Sequence, residues 1–294
     1  MELLLFRTRW GAKGSLTEFA AEAGSVGFDG IECPIPVTAG DQRELQKVLD
    51  RLHLAWIAEI ATGGGYVPRR ELGLEDHLAD LFAKLDACAA LGPVRVNCIG
   101  GLDAWSDAEM LRFFEAGMER AQRLGLDLCF ETHRSRCLFN PWRCEQVVRE
   151  LPEIGLTADL SHWCVVAERL MDTEMPTLQA IAGNVRHIHA RIGYDQGPQV
   201  PHPAAPEYAD ALASHQRCWE VFWEAQRLSG VARTTMTPEF GPDGYLHELP
   251  FTREPVADLW EINQWIAGVE RHHFARWCRG SFDENVAPWR TAGA

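Results

Sequence analysis

Eight short apolar runs, each followed by a longer polar-faced segment, constrain this chain more than any other feature. The runs are LLLFRT (3–8), FDGIEC (28–33), LAWIAEI (54–60) and VRVNCI (94–99), then LDLCFE (126–131), IGLTAD (154–159), VRHIHA (185–190) and TTMTPEF (234–240). Helical signals fill the gaps. SLTEFAAEAGSVG places Leu16, Phe19 and Ala20 at i, i+3 and i+4 behind a serine cap. SDAEMLRFFEAGMERAQRLG starts at a Ser106 cap and closes on Gly125, and residues 74–91 and 256–277 read alike. The runs are too short and too continuously apolar for strands with one wet face. They read as parallel strands covered on both sides, joined by helices. Such units predict a closed (β/α)8 TIM barrel, one domain over 1–294 with a C-terminal extension from about 280. An open doubly wound sheet would carry a Gly-rich phosphate loop after an early strand. ATGGGY (61–66) follows the third run and has neither spacing of such loops.

Apolar residues make up 46% of the chain, enough for a large core, and the formal charge is −14. Phosphate backbones need clustered Lys and Arg, so this balance predicts no nucleic-acid partner. Nine cysteines without CxxC spacing read as free thiols in a reducing compartment. Leu3 to Phe6 is too short an apolar run for a signal peptide, and no stretch reaches the ~18 residues of a membrane span. A cytoplasmic protein is expected.

The chemistry lies where the later runs stop. The fifth ends at Glu131, the sixth at Asp159, and the eighth at Glu239 before a Gly-Pro break. In the seventh, His187, His189 and Arg191 alternate and so share one side. In a barrel these ends meet at one mouth, where crowded carboxylates repel one another and resist desolvation. One divalent cation relieves both costs. Carboxylates with one imidazole suit Mn²⁺ first, with Mg²⁺, Co²⁺ or Zn²⁺ open. Each residue also has a plainer reading. An acid at a strand end caps the next helix or pairs with an arginine, and His187 reads as a buried structural histidine.

FETH, DLSH, HIHAR and PEFG together resemble the xylose isomerase-like TIM-barrel superfamily, the sugar phosphate isomerase/epimerase group, and within it the ketose 3-epimerases. The resemblance spans roughly residues 1–280. It implies one metal held by Glu131, Asp159, His189 and Glu239, with the two glutamates facing opposite sides of the substrate carbon as proton-transfer groups. It also implies that His162 and Arg191 hold substrate oxygens. His133, in a basic run with Arg134 and Arg136, joins the substrate-binding candidates. So does Trp163, which with Trp10, Trp56 and Trp105 stands near a strand end and could wall a sugar pocket or plug the barrel. The expected activity is isomerisation or epimerisation of a small-molecule sugar next to a carbonyl. A lyase or dehydratase acting on a keto-sugar or inosose is the alternative, ahead of a non-catalytic sugar-binding barrel or an endonuclease. A two-metal hydride shift needs further carboxylates, for which Asp195 is the candidate. Phosphate would require Arg134 and Arg136, and an unphosphorylated sugar is expected. The Pro/Gly-rich stretch 191–208, with few apolar anchors, reads as a βα loop, and its residues 194–206 as a lid that closes over bound sugar. Membrane binding is not expected, and a homo-oligomer stays open.

Overall fold

A computed structural model of the chain describes residues 1–242 and 244–280; the expected C-terminal extension lies outside them. The first half runs β1 (Glu2–Thr8), α1 (Leu16–Ser25), β2 (Gly30–Pro34), α2 (Ala39–Leu52), β3 (Ala55–Ala61), α3 (Leu74–Ala89), β4 (Arg95–Ile99) and α4 (Asp107–Leu124). The second runs β5 (Leu128–Glu131), α5 (Pro141–Glu150), β6 (Leu156–Ala158), α6 (Leu160–Ala167), α7 (Met175–Ile181), β7 (Val185–His189), α8 (Ala209–Leu228), β8 (Arg233–Thr237) and α9 (Leu259–Arg279). The strands form a closed barrel in chain order, and β1 pairs in parallel with β8. Closure leaves no open sheet edge.

The local signals work as the residues suggest. Ser15 Oγ accepts from Glu18 N at 3.2 Å while Ser15 N donates to Glu18 Oε2 at 2.8 Å, a reciprocal cap on α1. Ser106 and Glu109 repeat it on α4, which stops where Gly125 takes φ 68°. The last helix starts at Leu259, later than the periodicity predicts. Val256 N is drawn back to His247 O at 3.0 Å, and Asp258 supplies the cap through Glu261 N at 2.9 Å. The cysteines are all unpaired, and only Cys278 is exposed. No described helix is long and apolar enough to cross a membrane.

Arg136, a candidate phosphate ligand from its sequence, has a different position. It is fully buried, and its guanidinium donates to Thr62 O at 2.7 Å, Gly101 O at 3.0 Å and Tyr66 O at 3.1 Å, and also to Gly65 O. It ties the loops after β3 and β4 to the loop after β5, so its charge is committed to the scaffold. Arg136→Met is expected to strand several buried carbonyls and cost roughly 3 kcal/mol or more, read by urea unfolding.

Candidate metal centre and cleft

Glu131 is the last residue of β5, and His189 the last of β7. Asp159 follows β6, and Glu239 lies just past β8. The barrel brings one donor atom from each of these four residues within 4.8 Å of the others, all in buried side chains. Asp159 also does what a strand-end acid ordinarily does. It caps α6, with Oδ1 accepting from Ser161 N at 3.0 Å and from Ser161 Oγ at 2.5 Å. Its other oxygen, Oδ2, pairs with Arg191 Nη2. Capping and site-building are therefore compatible roles of one carboxylate.

His189 is fully buried. Its Nε2 lies 3.1 Å from Glu32 Oε1, and its Nδ1 lies 3.0 Å from Glu239 Oε2 and 3.7 Å from Glu131 Oε2. The Nδ1 contact is close but poorly aligned, so this atom makes no hydrogen bond. Burial opposes charge on the imidazole, yet Glu239, Glu32 and Glu131 together hold its pKa well above the usual histidine value. Burial, with Glu239 and Asp159 facing it, pushes Glu131 up to about 8, against the pull of His189 and an Asn97 Nδ2 bond of 2.7 Å to its Oε2. An unaligned Nδ1 aimed at buried carboxylates that repel one another is the environment a divalent cation relieves, and the donor set suits one.

Other polar groups at and below the mouth carry no strand-end signal in the sequence. Glu32, on β2, is fully buried; burial opposes its charge, but His189 and His187 hold its carboxyl well below the usual range. Glu59, on β3, lines the cleft half-buried. Desolvation, then Glu239, Glu32 and Glu131, push it up to about 8. Asn97 pairs in register with Glu59 across β3 and β4. Asp195, the one further carboxylate suggested by the sequence, is exposed on the loop after β7. The additional acids are Glu32 and Glu59 instead.

His162 and His133 pack ring against ring, tilted by 50° with centroids 3.9 Å apart. Burial lowers both pKa values well below the usual histidine range. His162 Nε2 lies 2.7 Å from Arg191 Nη2, and its Nδ1 has no partner. Arg191 also donates from Nε to Ser161 Oγ at 2.9 Å, and its guanidinium sits 4.7 Å over the Tyr245 ring and 5.4 Å over Trp10. Arg191 is thus ion-paired with Asp159 at the rim of the candidate ligand set. Gly241 permits this packing, because a Cβ there would meet the Trp10 ring at 2.2 Å.

Trp163 does not join the cleft. It is fully buried, and its indole N–H donates to Leu138 O at 2.9 Å. Trp56 is buried with its N–H toward Cys33 O, and Trp105 packs on His77. Of the tryptophans near strand ends, Trp10 lines the cleft, with Tyr66, Tyr245, Glu59, Glu131, Glu239, His133 and Arg191 beside it. The cleft is narrow, about 70 Å³. Small-molecule sites run to roughly 300–1,000 Å³, a range this cleft falls below. A larger groove of about 730 Å³ lies between the loops after β1 and β8, but the converging ligand set is not in its wall. The loop after β7 is better anchored than its composition predicts. Ile192 and Val200 are fully buried, Val200 N bonds Ile192 O at 2.9 Å, and Gln199 exchanges hydrogen bonds with Gly241 at 2.8 and 3.1 Å.

Comparison with known proteins agrees with this architecture. No curated protein matches the sequence. An L-ribulose 3-epimerase superposes with a TM-score of 0.64 at 15% identity, covering 95% of this chain and 97% of that one. The apo 3-keto-D-glucoside 4-epimerase of E. coli gives 0.59 at 13% identity, covering 92% and 100%. Endonuclease IV from Thermus thermophilus gives 0.56 at 13%, covering 96% and 100%. Identity this low carries the fold and not the reaction. The family model described as xylose isomerase-like TIM barrel matches residues 18–197, more than half of the chain, and the protein belongs to that family.

Proposed function

We propose that the protein is a divalent-metal-dependent isomerase or epimerase of a neutral sugar, moving a proton at the carbon beside a carbonyl. The observation that carries this reading is the convergence of Glu131, Asp159, His189 and Glu239 within 4.8 Å, with both glutamates also lining the cleft. These four residues would hold the cation, for which Mn²⁺ is the first choice. When bound, it would polarise a carbonyl and offset negative charge developing next to it. Glu131 and Glu239 approach the cleft from β5 and β8, so one can take a proton and the other return one from another side. His133 and Arg191, which line the cleft, and His162 behind His133, are the groups for substrate oxygens. The epimerases with this fold support a sugar substrate. An unphosphorylated one is favoured because Arg136 is committed to backbone carbonyls and Arg134 lies 4.9 Å over the Tyr245 ring. The −14 charge disfavours the nucleic-acid chemistry of endonuclease IV.

The test is to screen Mn²⁺-loaded protein against ketoses, aldoses, inososes and 3-keto glycosides in D₂O, with NMR detection of deuterium uptake. Uptake at one carbon is expected, abolished by EDTA and restored by Mn²⁺. Chelation should also lower the melting temperature, since an ion bound only by the native state stabilises it by mass action. Full activity in protein shown to be metal-free by elemental analysis would sink the reading, and loss of a substituent instead of isomerisation would identify a lyase.

A further inference from the structure

We propose that Glu32 is a positioning residue that fixes the His189 tautomer so that Nδ1, and not Nε2, faces the cation. This rests on the metal reading above. Glu32 lies beneath the ligand set, fully buried, and receives three side chains. Its Oε1 is 3.1 Å from His189 Nε2, while its Oε2 is 3.2 Å from His187 Nε2 and accepts from Thr237 Oγ1 at 2.5 Å.

The proton positions follow from which atoms can donate. The two Glu32 oxygens face the two Nε2 atoms at hydrogen-bond distance, and a carboxylate oxygen accepts from a ring N–H, so the geometry places a proton on each Nε2. His187 can meet this requirement because its Nδ1 lies 2.8 Å from Thr235 Oγ1, whose single hydroxyl proton can point to it in place of the more distant Arg186 O at 3.3 Å while the oxygen accepts from Arg95 Nη1 at 2.5 Å. His189 then has Nδ1 left over, and Nδ1 is the atom that points at Glu239 and Glu131. The Nδ1 position is thus open to either a second proton or a metal ion. A carboxylate behind a ligating histidine fixes its ring and raises its basicity, and losing such a partner typically weakens metal binding about 10–100-fold.

Glu32, His187 and His189 also have donor atoms close enough together to hold an ion themselves. Their mutual hydrogen bonds and Thr237 already satisfy those atoms, so they form a support for the site above and not a second centre. The sequence offers one sign of this, a lone acid inside the apolar run FDGIEC.

The test uses the metal alone. Wild type and Glu32→Gln are titrated with Mn²⁺ by calorimetry, and ¹⁵N-histidine NMR follows wild type on Zn²⁺ addition. The expected result is one ion per chain, about 10–100-fold weaker binding in Glu32→Gln, and a His189 Nδ1 resonance that moves while Nε2 keeps its proton. Folded Glu32→Gln binding within about threefold of wild type overturns the proposal. So does a His189 metallated at Nε2, which wild type alone reports if the variant fails to fold. Wild type that binds no divalent ion instead defeats the metal reading, and the role of Glu32 with it.

Discussion

Glu131→Gln and Glu239→Gln are each expected to lose about 10²–10⁴-fold in solvent proton exchange at the substrate carbon while still binding metal. Glutamine keeps the length of the side chain and one carbonyl oxygen, so a ligand atom survives. What it lacks is a basic carboxylate. In Glu131→Gln the retained Oε1 can still accept from Asn97, which bonds the native side chain at 2.7 Å, so the wall of β5 and β4 should stand. Asp159→Asn should behave differently. Asp159 holds the α6 cap and Arg191 as well as a proposed ligand position, so its loss should act through metal affinity and local order. Excess Mn²⁺ should restore part of that activity and none of the loss in the glutamine variants. The measurement is deuterium incorporation under saturating Mn²⁺. Wild-type exchange in both glutamine variants would place the acid–base groups elsewhere around the mouth.

What could be read from the chain, and what could not, divides along the direction of the strands. Glu131, Asp159, His189 and Glu239 were legible because each stands at or next to the end of an apolar run, where an acid or imidazole breaks the pattern. Glu32 and Glu59 lie within β2 and β3. In a sheet covered on both faces, alternation does not separate the barrel interior from the helix layer. A single acid in GIECP or AWIAEIA was the only available signal. Arg136 was legible as a charge but not as a clasp, since its partners are backbone carbonyls of Thr62, Gly65, Tyr66 and Gly101, which no side-chain pattern records. Trp163 illustrates a related limit. Plugging a core and walling a pocket demand the same large ring, and the bond to Leu138 O that decides between them is a tertiary fact. The loop after β7 looked unanchored because Ile192 and Val200 are sparse among Pro and Gly, yet two apolar residues and one glutamine suffice to pin it.

The same electrostatics make the bound ion sensitive to pH, in a direction that can be worked out. In the metal-free protein Glu131 is raised from 4.5 to about 8, chiefly by burial and then by Glu239 and Asp159, and His189 is held well above its ordinary 6.5. Ligation at the proposed site would need the Glu131 carboxylate and a bare His189 Nδ1, so at pH 7 an ion would displace protons from this pair. Affinity should therefore fall as pH drops, by about tenfold per unit for each proton released and so by about ten- to a hundredfold per unit between pH 8 and 6. Mn²⁺ titrations in two buffers of different ionisation heat count those protons directly. Stability of the metal-free protein should run the opposite way. Glu131 and Glu59 both have folded values near about 8, above their ordinary 4.5. Their unfolded forms release protons first as pH rises, so the fold binds more protons than the unfolded chain across that window and loses stability through it. In EDTA the melting temperature should decline from pH 7 to pH 8, above the range in which His133 and His162, whose values the fold lowers, take up protons on unfolding, whereas saturating Mn²⁺ should reverse the trend by replacing protons with a charge that all the carboxylates favour. A Mn²⁺ affinity that stays constant from pH 6 to pH 8, with no proton release, would mean that the ligand set is already deprotonated and that its acids are held apart by something other than shared protons.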